Sequence, residues 1–159
     1  MILIAGIAVA PTKSDTADVS AENVEIIRSL TDAWYRRDFR TVSAFFDPAV
    51  EFRPPPEFPD YEICRGVEEM NSSFRKWTGA WESMRFEAGE YIDAGDRVIA
   101  TNRQWGKVKG TGIEVQNEVF NVFTLSAGKV VRLEMFYKRG PAFEAAGLSE
   151  QGAETDSSS

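Results

Sequence analysis

The sequence predicts an α+β fold, and two patterns predict it. Up to Trp81 the apolar residues recur at helical spacing; after Trp81 they alternate. The alternating segments are separated by short Gly-containing turns, so consecutive strands must pair antiparallel. Helices followed by a β-meander define the α+β class.

Each element has its own signal. Ser20 is a good N-cap, followed by Glu22 in the first turn and Asn23 at the capping-box position. Val24, Ile27, Leu30 and Trp34 then mark one face of a helix ending near Arg37. A second, short helix carries Val42, Phe45 and Phe46 and stops at Asp47-Pro48. Ala49–Arg53 alternates as a strand, and Pro54-Pro55-Pro56 with Pro59 forces an extended loop. A third helix starts near Gly66, with Val67, Met70, Phe74, Trp77 and Trp81 along its apolar stripe. Four strands follow at Met84–Asp93, Arg97–Lys109, Ile113–Leu125 and Val130–Lys138. Gly140-Pro141 closes the sheet, and Ala142–Leu148 reads as a last short helix. A long twisted meander curls. Three amphipathic helices laid in its concave side leave a hollow between them.

Composition narrows the function classes. The chain has 159 residues, with 43% hydrophobic and 27% charged, enough for one domain with a real core. A net charge of -7 and only short basic clusters, Arg36-Arg37 and Lys138-Arg139, argue against nucleic-acid or membrane-surface partners. Histidine is absent, which removes His-based triads and dyads and most zinc sites. A single cysteine, Cys64, fits a reducing compartment, hence a cytoplasmic protein. The apolar run Ile2–Ala10 lacks a basic n-region and is too short to span a bilayer. It reads as an extension rather than an export signal, although Ala8-Val9-Ala10 has the look of a cleavage site. The expected organisation is residues 1–20 as extension, 21–148 as the domain and 149–159 as a polar tail.

A resemblance now becomes visible. It rests on Ala33-Trp34 through Asp38, Phe46-Asp47-Pro48-Ala49-Val50, Cys64-Arg65-Gly66 and Asp93-Ala94-Gly95-Asp96-Arg97-Val98. Val122-Phe123-Thr124-Leu125 running into Gly128-Lys129-Val130, and Ala142 to Gly147-Leu148, complete it. In order and spacing these motifs resemble the nuclear transport factor 2-like cone, and more narrowly the SnoaL-like (polyketide cyclase-like) proteins. The resemblance spans about Asn23 to Leu148. It implies a cystatin-like, cone-shaped α+β barrel with a deep apolar pocket and no cofactor. It also implies a hydrophobic small-molecule ligand and a homodimer through the convex sheet face. The fold hosts many chemistries, so it does not choose among them.

Both faces of the Ile113–Leu125 strand carry apolar residues, so alternation alone does not choose the inner one. The family register implies that Val119, Asn121, Phe123 and Leu125 face inward, with Leu133, Met135 and Tyr137 on the last strand. On the strand after Gly95 the same register turns Val98, Ala100, Asn102 and Gln104 inward. Catalytic groups of known members do not carry over. Where ketosteroid isomerases hold a tyrosine, a base and an acid, the matching positions are Leu30, Phe52 and Asn121. Where limonene epoxide hydrolases use Arg and two Asp, they are Asn102, Gln104 and Met135. The histidines of the scytalone dehydratase type have no counterpart.

Two residues are left as catalytic candidates. Asn121 could donate to a developing oxyanion, as a neutral acid would. Glu90 shares parity with Phe86 and Ile92 and is the best inward carboxylate; an edge-strand or bulge position would send it to solvent instead. The ligand-contact set is Trp34, Phe52, Tyr61, Trp77, Trp81, Asn102, Gln104, Asn117 and Met135. Its amides serve equally well as ligand contacts or as self-satisfied wall, and its aromatic residues as plain core. Tyr61 and Cys64 are expected near the mouth. Arg103, Glu118, Arg132 and Glu134, with Trp105, Phe120 and Phe136, would form a charged and aromatic convex face. These readings point to a cofactor-independent cyclase, isomerase or hydrolase acting on a polyketide-like, carbonyl or epoxide compound. The competing reading is a binding module with the same pocket.

Overall fold

The structure is a computed structural model that describes residues 13–58 and 60–148. The apolar run at 2–10 and the tail at 149–159 lie outside the described residues. Helix α1 spans Lys13–Tyr35, so Ser20 lies inside it rather than capping it. The Ser/Thr/Asp-rich end of the expected 1–20 extension is helical from Lys13 because no Gly or Pro interrupts the chain between Lys13 and Tyr35. Asn23 is buried for another reason: its Nδ2 donates to the Gly95 carbonyl at 3.2 Å, tying α1 to a hairpin turn.

Helix α2 (Phe39–Ala44) is capped by Asp38, whose carboxylate accepts from the Thr41 N–H. Phe46 does not extend this helix. It opens strand β1 (Phe46–Arg53), because it pairs with Val130, and Val130 N–H donates to the Phe45 carbonyl at 2.9 Å. A two-residue strand, β2 (Cys64–Arg65), has no sequence signal and is created by pairing with β1. Helix α3 (Val67–Gly79) ends before Trp81, which starts β3 (Trp81–Ala94). Strands β4 (Arg97–Val108), β5 (Glu114–Ser126) and β6 (Lys129–Phe136) complete a curved six-stranded sheet ordered β2-β1-β6-β5-β4-β3. The meander is antiparallel, and β1 joins it parallel to β6. Helix α4 (Arg139–Ala145) takes in Gly140-Pro141; a first-turn proline loses no intrahelical hydrogen bond.

Two cores result. The main one lies between the concave face and α1 to α3, and includes Ile27, Val50, Met70, Val98 and Phe123. The second lies on the convex face, where α4 places Ala142, Phe143 and Ala146 against Ile99, Phe120 and Val122. Phe120 is therefore covered, which corrects the expectation of an open aromatic face there. The convex charges also regroup. Glu51 accepts from Arg53 at 2.6 Å and lies 3.0 and 3.2 Å from Arg65 and Arg132; Glu134 approaches Arg53 at 3.9 Å. Burial pushes the Glu51 carboxyl up, but the three arginines outweigh it and hold it below the usual range. Arg103 and Glu118 are exposed and directly opposite each other in register.

Strand β3 departs from simple alternation. Ala88 pairs with Asn102 but Tyr91 pairs with Ala100, so Gly89 and Glu90 together oppose Thr101. This is a β-bulge. The Thr101 hydroxyl accepts from the Glu90 N–H at 2.8 Å. A Cβ on Gly89 would lie 2.2 Å from Thr101 Oγ1 and 3.0 Å from its carbonyl oxygen. The bulge reverses parity beyond it: Tyr91 joins the main core and Ile92 the convex one. Gly89→Ala is expected to lower stability in urea unfolding by about 1–3 kcal/mol, as overpacking does. An unchanged midpoint would contradict the bulge.

Candidate ligand-binding site

The alternation of β4 and β5 sets the floor of a hollow. Their pairing runs from Arg97 opposite Thr124 to Lys107 opposite Glu114 without a slip. Asn102, Gln104, Val119, Asn121 and Phe123 therefore share the concave face, joined by Leu133 and Met135 from β6. The helices stand off this floor and enclose about 460 Å³. Helix α1 contributes Leu30, Thr31, Trp34 and Tyr35, and α3 contributes Met70, Asn71, Phe74 and Trp77. Phe86 from β3 meets the Trp34 ring edge-on at 4.6 Å. Exposed lining residues Phe39, Arg75 and Thr78 mark the mouth, between α2 and α3.

The interior carries no formal charge. Among the described residues, Arg75 at the rim is the only ionised residue type in the lining, and the lining includes no carboxylate. The polar groups inside are amides, hydroxyls and one phenol. Asn121 Nδ2 donates to the Ala100 carbonyl at 3.2 Å, which commits one of its two N–H groups. Gln104 is buried, and with Trp77 it lies near the Tyr137 hydroxyl. Burial pushes the Tyr137 phenol up, against the pull of those two contacts. Asn102 is different: its Oδ1 is buried and has no hydrogen-bond partner among the described residues. Such an acceptor is costly unless a donor reaches it.

The sequence-derived candidates are thus sorted by geometry. Trp34, Trp77, Asn102, Gln104, Asn121 and Met135 line the hollow. Phe52 lies one layer behind, stacked on Phe74 at 4.9 Å. Trp81 sits over Gly106, where a Cβ would come within 2.5 Å of its ring. Asn117 faces Gln104 across the ladder but is outside the lining. Tyr61 is 44% exposed and, like buried Cys64, is outside the lining, because the mouth opens between α2 and α3. Glu90 is exposed and stands outside the lining, turned there by the bulge. The site therefore has no carboxylate base at that position.

Tyr35 was not singled out from the sequence. It closes an i, i+4 row, Ile27–Thr31–Tyr35, beside the apolar stripe of α1. Thr31 in the same row shares a 2.5 Å hydrogen bond with the Tyr91 hydroxyl. Burial, then the neighbouring Tyr91, pushes the Tyr35 phenol up to about 12. It makes no hydrogen bond to a described residue, so it stays protonated at neutral pH. The folded state holds this proton more tightly than the unfolded chain. Stability on its account is therefore constant below pH 10.0 and falls as pH rises towards about 12. The difference in near-ultraviolet absorbance titration between wild type and Tyr35→Phe should show a phenol ionising well above the ordinary tyrosine range. An ordinary midpoint would contradict its burial.

Comparison with known proteins agrees with this architecture. An NTF2-like protein from Burkholderia thailandensis is 27% identical over 80% of this chain and 98% of its own, with a TM-score of 0.67. A putative SnoaL-like polyketide cyclase from a Jannaschia species is 20% identical over 82% and 90%, with a TM-score of 0.63. TerC, co-crystallised with polyporic acid, is 19% identical over 79% and 98%, with a TM-score of 0.64. No curated protein matches the sequence. The model of the SnoaL-like domain matches residues 27–133, which takes in all the floor strands but the end of β6. With most of its length so matched, the chain belongs to the SnoaL-like family of the NTF2-like fold.

Proposed function

We propose that this protein binds a hydrophobic, oxygen-bearing small molecule of polyketide-like type in the hollow, through neutral hydrogen bonds. The observation that carries this reading is the lining itself: aromatic and aliphatic walls, no carboxylate, and the buried Asn102 acceptor without a partner. A ligand hydroxyl supplies the missing donor. Two structural neighbours support the ligand class, one named a putative polyketide cyclase and one crystallised with polyporic acid. In this reading the chain works in the cytoplasm as a homodimer, docked through the part of the convex face that α4 leaves uncovered.

A second reading, a cofactor-independent cyclase or isomerase, is favoured by Tyr35 and Asn121. Both are neutral donors facing the hollow, the class of group that stabilises an enolate oxygen without giving up a charge. The lining offers no carboxylate base, so binding is the reading the geometry supports best. Calorimetry with a neutral hydroxyanthraquinone tests it. Wild type should bind, and Asn102→Leu should lose about tenfold in affinity, the worth of one buried hydrogen bond. Failure of wild type to bind, or equal affinity in Asn102→Leu, would overturn it.

A further inference from the structure

We infer that the ligand is an acid, with its anionic oxygen group held by Arg75 at the mouth and its apolar body inside; this rests on the small-molecule reading above. Helix α3 presents two rows to the hollow. Met70, Phe74 and Trp77 form the inner, apolar row, and Asn71, Arg75 and Thr78 form the row at the rim. Among the described residues, Arg75 is the one charged side chain that lines the hollow, and it stands at the mouth between α2 and α3.

The guanidinium has been left unengaged. Arg28 pairs with Glu25, Arg36 with Asp32, and Arg53, Arg65 and Arg132 with Glu51. Arg75 has no ion pair among the described residues and, unlike Arg37, Arg40 and Arg103, which also have none, it lines the hollow. The sequence around it explains why: the positions three and four away on its own helix are Asn71, Ser72, Thr78 and Gly79, none acidic. The protein as a whole carries -7 and repels anions. An acidic ligand therefore needs a local cation, and a neutral one has no use for it. The planar fork of donors suits a carboxylate or an acidic enol better than a carbonyl.

A matched pair of probes, anthraquinone carboxylate and anthraquinone carboxamide, isolates the charge at constant shape. Calorimetry should show wild type binding the acid about fivefold more tightly than the amide, the scale of a rim-exposed pair. That preference should shrink as salt is raised. In Arg75→Gln the ratio of the two affinities should fall to about one; the side chain is exposed, so the variant folds. If wild type binds both probes equally, or Arg75→Gln keeps the ratio, the acid inference is wrong and the pocket reading stands. If wild type binds neither probe, both fall.

Discussion

An unslipped β4–β5 ladder is the constraint on which the site depends. Each residue added to or removed from it would exchange the faces, placing Arg103 and Glu118 inside and Asn102 and Asn121 outside. The register keeps the amides in the hollow and the charges on the convex side. The bulge at Gly89-Glu90 makes the matching adjustment on β3. It turns Tyr91 towards α1, where its hydroxyl meets Thr31, and leaves Glu90 in solvent. Backbone geometry, not side-chain preference, is what strips the cavity of carboxylates.

A cavity inside a small protein costs stability unless its walls are braced from behind. Here the bracing is identifiable. Phe52 stacks on Phe74, Trp81 meets Trp77 edge-on at 6.3 Å over the flat surface of Gly106, and Asn23 pins α1 to the β3–β4 turn. Among the wall amides, Asn121 is held by the Ala100 carbonyl, and Gln104 is buried near the Tyr137 hydroxyl. Asn102 Oδ1 and the Tyr35 hydroxyl stand out because the fold gives them nothing to bond. In the proposed reading, selectivity for an oxygen-bearing ligand rests on those two groups more than on the shape of the hollow.

Most of the fold was legible in the sequence, because period and punctuation are local signals. The hairpin glycines located the four long strands, and the helical stripe located α1 and α3. What local signals miss is pairing at a distance. Phe46 reads as helical until β6 captures it, and Cys64–Arg65 becomes a strand only beside β1. The same limit shapes the site. The inner faces of β4 and β5 follow from strand parity once the inner face is chosen, so Asn102, Gln104 and Asn121 were identifiable. Glu90 was misplaced because parity was carried through Gly89, although a glycine in mid-strand is itself the sign of a bulge. Tyr35 and Arg75 escaped because each lies on a polar row beside an apolar stripe, where periodicity carries no weight.

The cone holds a neutral-walled hollow with room for a ligand. A crystal structure grown with a neutral hydroxyanthraquinone tests it most directly. Density for the ring system between Trp34 and Trp77, with a ligand hydroxyl within hydrogen-bond reach of Asn102, is the predicted result. An interior in which Met70, Leu133 and Met135 fill the space and the compound lies elsewhere would contradict it.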